Sequence, residues 1–89
     1  MQGYVAFVGT APDVVSGDYC DLAVIAYHGD GKYAASAEFT GETTIRTDHP
    51  DVLGVIEPDA EAVLLANGWR VTSDWAYAGN SLYADVERA

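Results

Sequence analysis

The residues with the types and spacing for chemistry gather near the C-terminal end. The stretch GWRVTSDWAYAGNSLYADVE, Gly68 to Glu87, holds Asp74, Asp85 and Glu87 together with both tryptophans. Paired carboxylates do acid–base work when a pocket pushes their pKa values apart, and they hold a hard cation when enough oxygens converge. An exposed pair of strands supplies neither. His28 in HGD and His49 in DHPD also lie beside acids. Zinc needs three or four ligands in fixed geometry, and these two pieces fall in separate loops. Cys20 is the only cysteine, with Asp18 and Asp21 close by. Neighbouring negative charge disfavours the thiolate, so it reads as a small apolar residue at the start of a strand. GDGKYAAS lacks the spacing of a phosphate-binding loop, and no nucleophile elbow or zinc-protease helix occurs. No catalytic residue, metal or cofactor is expected, which leaves binding as the chemistry on offer.

The elements that position these residues are legible from period and punctuation. GYVAFVGT (3–10) reads as a strand, closed by a loop APDVVSGD. In CDLAVIAYHGDGKYAASAEFT two strand-like runs flank Asp30-Gly31, a strong hairpin signal because both turn positions need positive φ. That turn sets Leu22 opposite Phe39 and Val24 opposite Ala37 on an apolar face. Ala23, Ile25, Tyr27, Ala34, Ser36 and Glu38 fall on the other. This half-polar second face makes Ile25, Tyr27 and Glu38 a second candidate surface, for a partner or for a second copy of the chain in a self-associating structural or assembly module. TTIRT (43–47) reads as a separate edge strand. DVLGVI (51–56) reads as a short helix or an irregular apolar run. Gly54 and Pro58 argue against one continuous helix, so the main predicted helix begins at Pro58, with Asp59 and Glu61 in its first turn and Asn67-Gly68 as its stop. A Gly79-Asn80 turn then pairs Tyr77 with Leu82, Trp75 with Ala84 and Ser73 with Val86. It turns Trp69, Val71 and Trp75 inward. The same register sets Asp74 opposite Asp85 and Thr72 opposite Glu87 on the outward face, a like-charge conflict costing roughly 0.2–1 kcal/mol. The expected fold is a single α+β domain spanning residues 1–89: an antiparallel sheet of about five strands, in the order β-ββ-(β)-α-ββ, with one packed helix.

Composition bounds the partners. Fourteen acidic residues face four basic ones, for a formal net charge of -10 and a pI near 4.1. Such a surface repels phosphate backbones and anionic membranes and attracts basic protein surfaces. Direct binding to nucleic acid or to a membrane is therefore not expected. No apolar run has the roughly 20 residues of a membrane helix, and the opening MQGYVAFVGT lacks the basic and long apolar parts of a signal peptide. A cytoplasmic protein, monomeric or homodimeric, is expected. Asp85 and Glu87 stand at i and i+2 on a strand, about 6.6–6.8 Å apart. With Tyr83 next to Asp85 on the same face and Asp74 across the ladder, this outer face could meet an Arg/Lys-rich groove much as a strand of phosphates does.

The C-terminal third, EPDAEAVLLANGWRVTSDWAYAGNSLYADVERA (57–89), resembles small orphan accessory proteins of high-GC bacteria, their phages and mobile elements. In these a short helix ends in GW and a hairpin follows, closing near VE. The resemblance implies an accessory role, such as an inhibitor of host defence of the anti-CRISPR type, and assigns no active residues.

Overall fold

Strand-forming runs with alternating burial make a sheet, and one helix closes its apolar side. In the computed structural model, which describes residues 3–10, 18–79 and 81–89, the elements are β1 (Gly3–Gly9), β2 (Tyr19–Gly29), β3 (Lys32–Arg46), α1 (Val52–Ala66), β4 (Trp69–Val71), β5 (Ala76–Ala78) and β6 (Ser81–Arg88). The class is α+β: one helix and a six-stranded antiparallel sheet in the order β3-β2-β1-β6-β4, with β5 also paired to β6. Inward residues at every second position, Ala6 and Val8, Leu22 and Val24, Leu82 and Val86, meet the helical stripe Ile56, Ala60 and Leu64, one residue per turn. Cys20 and Trp69 complete this core, and Phe39, Val71 and Trp75 pack against it half-buried.

The helix departs from the sequence expectation. It starts at Val52, six residues before Pro58, and carries Pro58 in its interior. Proline there removes one backbone bond and crowds the carbonyl four residues back. That residue is Gly54, and both positions are exposed, so water can serve the freed carbonyl. Burial of Ile56 and the half-burial of Val52 reward the extra turns. A Cβ on Gly54 would overlap the Asp51 carboxylate, which folds over the first turn. Asp59 consequently sits mid-helix and has a different task. Its carboxylate accepts the Thr44 amide at 2.8 Å and the Thr44 hydroxyl at 2.6 Å, tying the helix to the rim of β3.

The first hairpin turns where expected, with Asp30 at φ 57° and Gly31 at φ 75° and Gly29 opposite Lys32. Bulges then shift β3, so Tyr27 faces Tyr33, Ile25 faces Ala37, Val24 faces Phe39 and Leu22 faces Gly41. The expected Leu22–Phe39 and Val24–Ala37 pairs do not form, because each bulge adds an unpaired residue and re-aims the side chains beyond it. Phe39 still reaches the core, its ring lying across Gly41, where a Cβ would come within 2.9 Å of it. The expected edge strand 43–47 is the continuation of β3, not a separate element. The loop expected at 11–18 lies almost wholly outside the described residues. Among those described, no helix is long and apolar enough to cross a membrane.

Candidate protein-binding face

The register of the last strands decides where the acidic residues go. Tyr77 does face Leu82, and Ala76 and Ala78 face Tyr83 and Ser81, as a two-residue turn requires; Asn80 itself lies outside the described residues. Upstream, however, Val71 faces Val86, Arg70 faces Glu87 and Trp69 faces Arg88. The two halves differ by two residues. Residues 72–75 absorb the difference by leaving the ladder between β4 and β5. The Thr72 amide donates to the Asp85 carbonyl at 2.9 Å, and the Asp85 amide donates to the Ser73 hydroxyl at 2.9 Å.

The Asp74–Asp85 and Thr72–Glu87 oppositions are therefore not formed, nor are Trp75–Ala84 and Ser73–Val86. A shift of two keeps every side chain on its face. For that reason Trp69 is buried, and Val71 and Trp75 pack inward despite the wrong pairing. Asp74 is exposed in the excursion, away from any strand partner. Glu87 is bonded to its true neighbour, Arg70, at 3.0 Å. A like-charge pair does occur, at a place the sequence reading missed: Asp21 of β2 faces Glu42 of β3. Only knowledge of the β3 bulges could have revealed it, since an unbulged hairpin sets Asp21 against Thr40.

The helix covers one side of the sheet, and among the described residues no element packs on the other. Cross-strand pairs build this outer face in rows: Ala23, Phe7, Tyr83 and Ala76 in one; Ala37, Ile25, Val5 and Asp85 in the next. Tyr27 and Tyr33 close one end, their rings 5.1 Å apart, and Phe7 meets Tyr33 edge-on at 5.7 Å and Tyr83 at 6.3 Å. Val5 is only 6% exposed although it points away from the main core, whereas Tyr33 and Tyr83 are 47% and 38% exposed. Asp21 and Glu42 flank the aromatic band on one side, Asp85 and Glu87 on the other. Of the predicted residues, Tyr83, Asp85, Glu87, Ile25 and Tyr27 thus share one surface, and the two candidate faces are one. Glu38 stands apart. It lies in a bulge, and its carboxylate accepts from the Arg88 guanidinium at 3.3 Å.

The remaining reactive groups are sealed or dispersed. Burial, with the Asp21 charge second, pushes the Cys20 thiol above its ordinary pKa, and the side chain is fully covered. The His49 Nδ1 accepts the Asp51 amide at 2.9 Å, a turn role. Among the described residues no three His, Cys, Asp or Glu side chains converge as metal ligands would. Compared with protein-family models, curated proteins and solved structures, the chain matches none.

Proposed function

We propose that the chain is a small non-enzymatic binding protein that lays its outer sheet face against a basic surface of another protein. The occupied surface would be a nucleic-acid-binding groove, and the effect inhibition, as in anti-defence proteins of phages and mobile elements. The observation that carries this reading is the face that no described element covers, with aromatics at its centre and Asp21, Glu42, Asp85 and Glu87 at its flanks. Protein interfaces have this anatomy, an aromatic-rich centre inside a polar rim. The net charge of -10 selects a basic partner, by attraction and by faster encounter. A second copy is a poor occupant, because two such faces would bring their acidic flanks together.

The test is capture of partners on the immobilised chain, then salt titration of the purified complex and competition with single- and double-stranded nucleic acid. The expected result is a complex that weakens steeply with salt and is displaced by nucleic acid. Affinity insensitive to both would end the proposal.

A further inference from the structure

A hollow of about 760 Å³ opens at the end of the outer face where β1 and β6 finish, bordered by Gly3, Val5, Tyr27, Thr72, Asp85 and Glu87. Space at Gly3 is open, since a Cβ there would meet nothing within 4 Å. The charges around it are unequal in standing. Glu87 is bonded to Arg70, and Arg88, which also borders the hollow, is bonded to Glu38. The Asp85 carboxylate has no hydrogen-bonding or cationic partner among the described residues.

The fold's own arginines show what such a place accepts. Arg46 lies 5.6 Å from the Tyr19 ring centroid and bonds Asp48 at 3.1 Å. Arg88 lies 4.6 Å from the Trp69 centroid and 5.3 Å from that of Tyr4, and bonds Glu38. Each sets its guanidinium against an aromatic ring while a carboxylate accepts its N–H groups. Tyr27 and Asp85 both line the hollow, and the arginine at its border, Arg88, is already engaged by Glu38 and by the Tyr4 and Trp69 rings. We propose that it receives an arginine side chain of the partner, stacked on Tyr27 and bonded to Asp85. Arginine suits it better than lysine, because a planar guanidinium stacks and donates two parallel bonds, whereas an ammonium acts as a point charge. This rests on the docking reading above, and the experiment separates the two.

Octa-arginine and octa-lysine, each labelled with fluorescein, are titrated with the full chain at one fixed ionic strength. Wild type should prefer octa-arginine by about two- to fivefold, the size of an exposed cation–π contribution. Tyr27→Leu should erase the preference without changing charge. Tyr27→Phe, which loses only the hydroxyl that accepts the Gly31 amide, should keep it. Asp85→Asn should weaken octa-arginine binding several-fold more than Glu61→Gln, the same charge change on the exposed side of α1. In wild type alone, amide resonances of Gly3, Tyr27 and Asp85 should shift most during the octa-arginine titration. That readout survives if a variant fails to fold. Preference that outlives Tyr27→Leu, equal effects of Asp85→Asn and Glu61→Gln, or shifts centred on the helix would overturn the arginine site while leaving acidic docking intact. Failure of both peptides to bind wild type would overturn the docking reading as well.

Discussion

Removing the Asp59 carboxylate should loosen the helix from the long third strand. Asp59 accepts two bonds from one residue, the Thr44 amide at 2.8 Å and its hydroxyl at 2.6 Å. Hydrogen bonds to a charged group contribute about 1.5–3 kcal/mol each, but both of these are exposed to water, which replaces part of what is lost. A discounted value of about 1 kcal/mol per bond gives about 2 kcal/mol for the pair. Alanine returns about 0.5 kcal/mol through its better helix propensity. Asp59→Ala should therefore cost about 1.5 kcal/mol net, a sizeable share of the stability of a domain this small. Asp59→Asn should cost less, because its amide oxygen can keep one of the two bonds. Urea unfolding reads the loss as a lower midpoint at unchanged slope. Hydrogen exchange at the Thr44 amide reads it locally, and the cycle of Asp59→Ala with Thr44→Val should show coupling of about 1 kcal/mol. Stability within about 0.3 kcal/mol of wild type, together with unchanged Thr44 protection, would refute the tether.

Pro58→Ala should stabilise the chain by about 1–2 kcal/mol. The restored bond to Gly54 outweighs the roughly 0.4–1 kcal/mol by which proline restricts the unfolded chain, and lower stability in urea would count against an interior position for Pro58 in α1. Trp69→Ala should cost roughly 3–5 kcal/mol, because it empties a buried site and removes the ring beneath Arg88. Trp75→Ala, at a half-buried position, should cost clearly less; equal thermal shifts would contradict the packing. Cys20 should resist thiol reagents in the folded chain and react on unfolding. Its folded pKa is raised by burial, so its contribution to stability is intact below the unfolded pKa, roughly 8.5, and declines as pH rises above it. Cys20→Ala should remove that part of the alkaline decline.

Legibility in the sequence divides between features that depend on period and features that depend on count. Inward and outward residues of the last strands were readable, because a slip of two leaves the pleat unchanged and Trp69, Val71 and Trp75 still turn inward. Pairings were not. The two residues absorbed at 72–75 and the bulges of β3 carry no compositional mark, since Ser73 and Thr72 read equally well as strand. The helix start was misread for a related reason. Pro58 is a common first helical residue, and local propensity had no knowledge of the sheet that Ile56 would be buried against.

The acidic surface shows how one missed count alters a functional argument without reversing it. The sequence reading put the conflict at Asp74 and Asp85, and that pair dissolves once residues 72–75 leave the ladder. The conflict reappears at Asp21 and Glu42, while Asp85, beside Tyr83 on its own strand, has Val5 as its cross-strand neighbour. A solvated charge costs little and explains little, since carboxylates on an outer face are the ordinary way to keep a small protein soluble. The aromatic band between the two acidic flanks is different. Tyr33 and Tyr83 stay 47% and 38% exposed beside Phe7, and solubility alone gives no reason to leave such a surface in water. Under the proposed docking, acidic side chains beside it would oppose a second copy of the chain and favour a basic partner. The proposed docking rests on charge and aromatics together, more than on either alone.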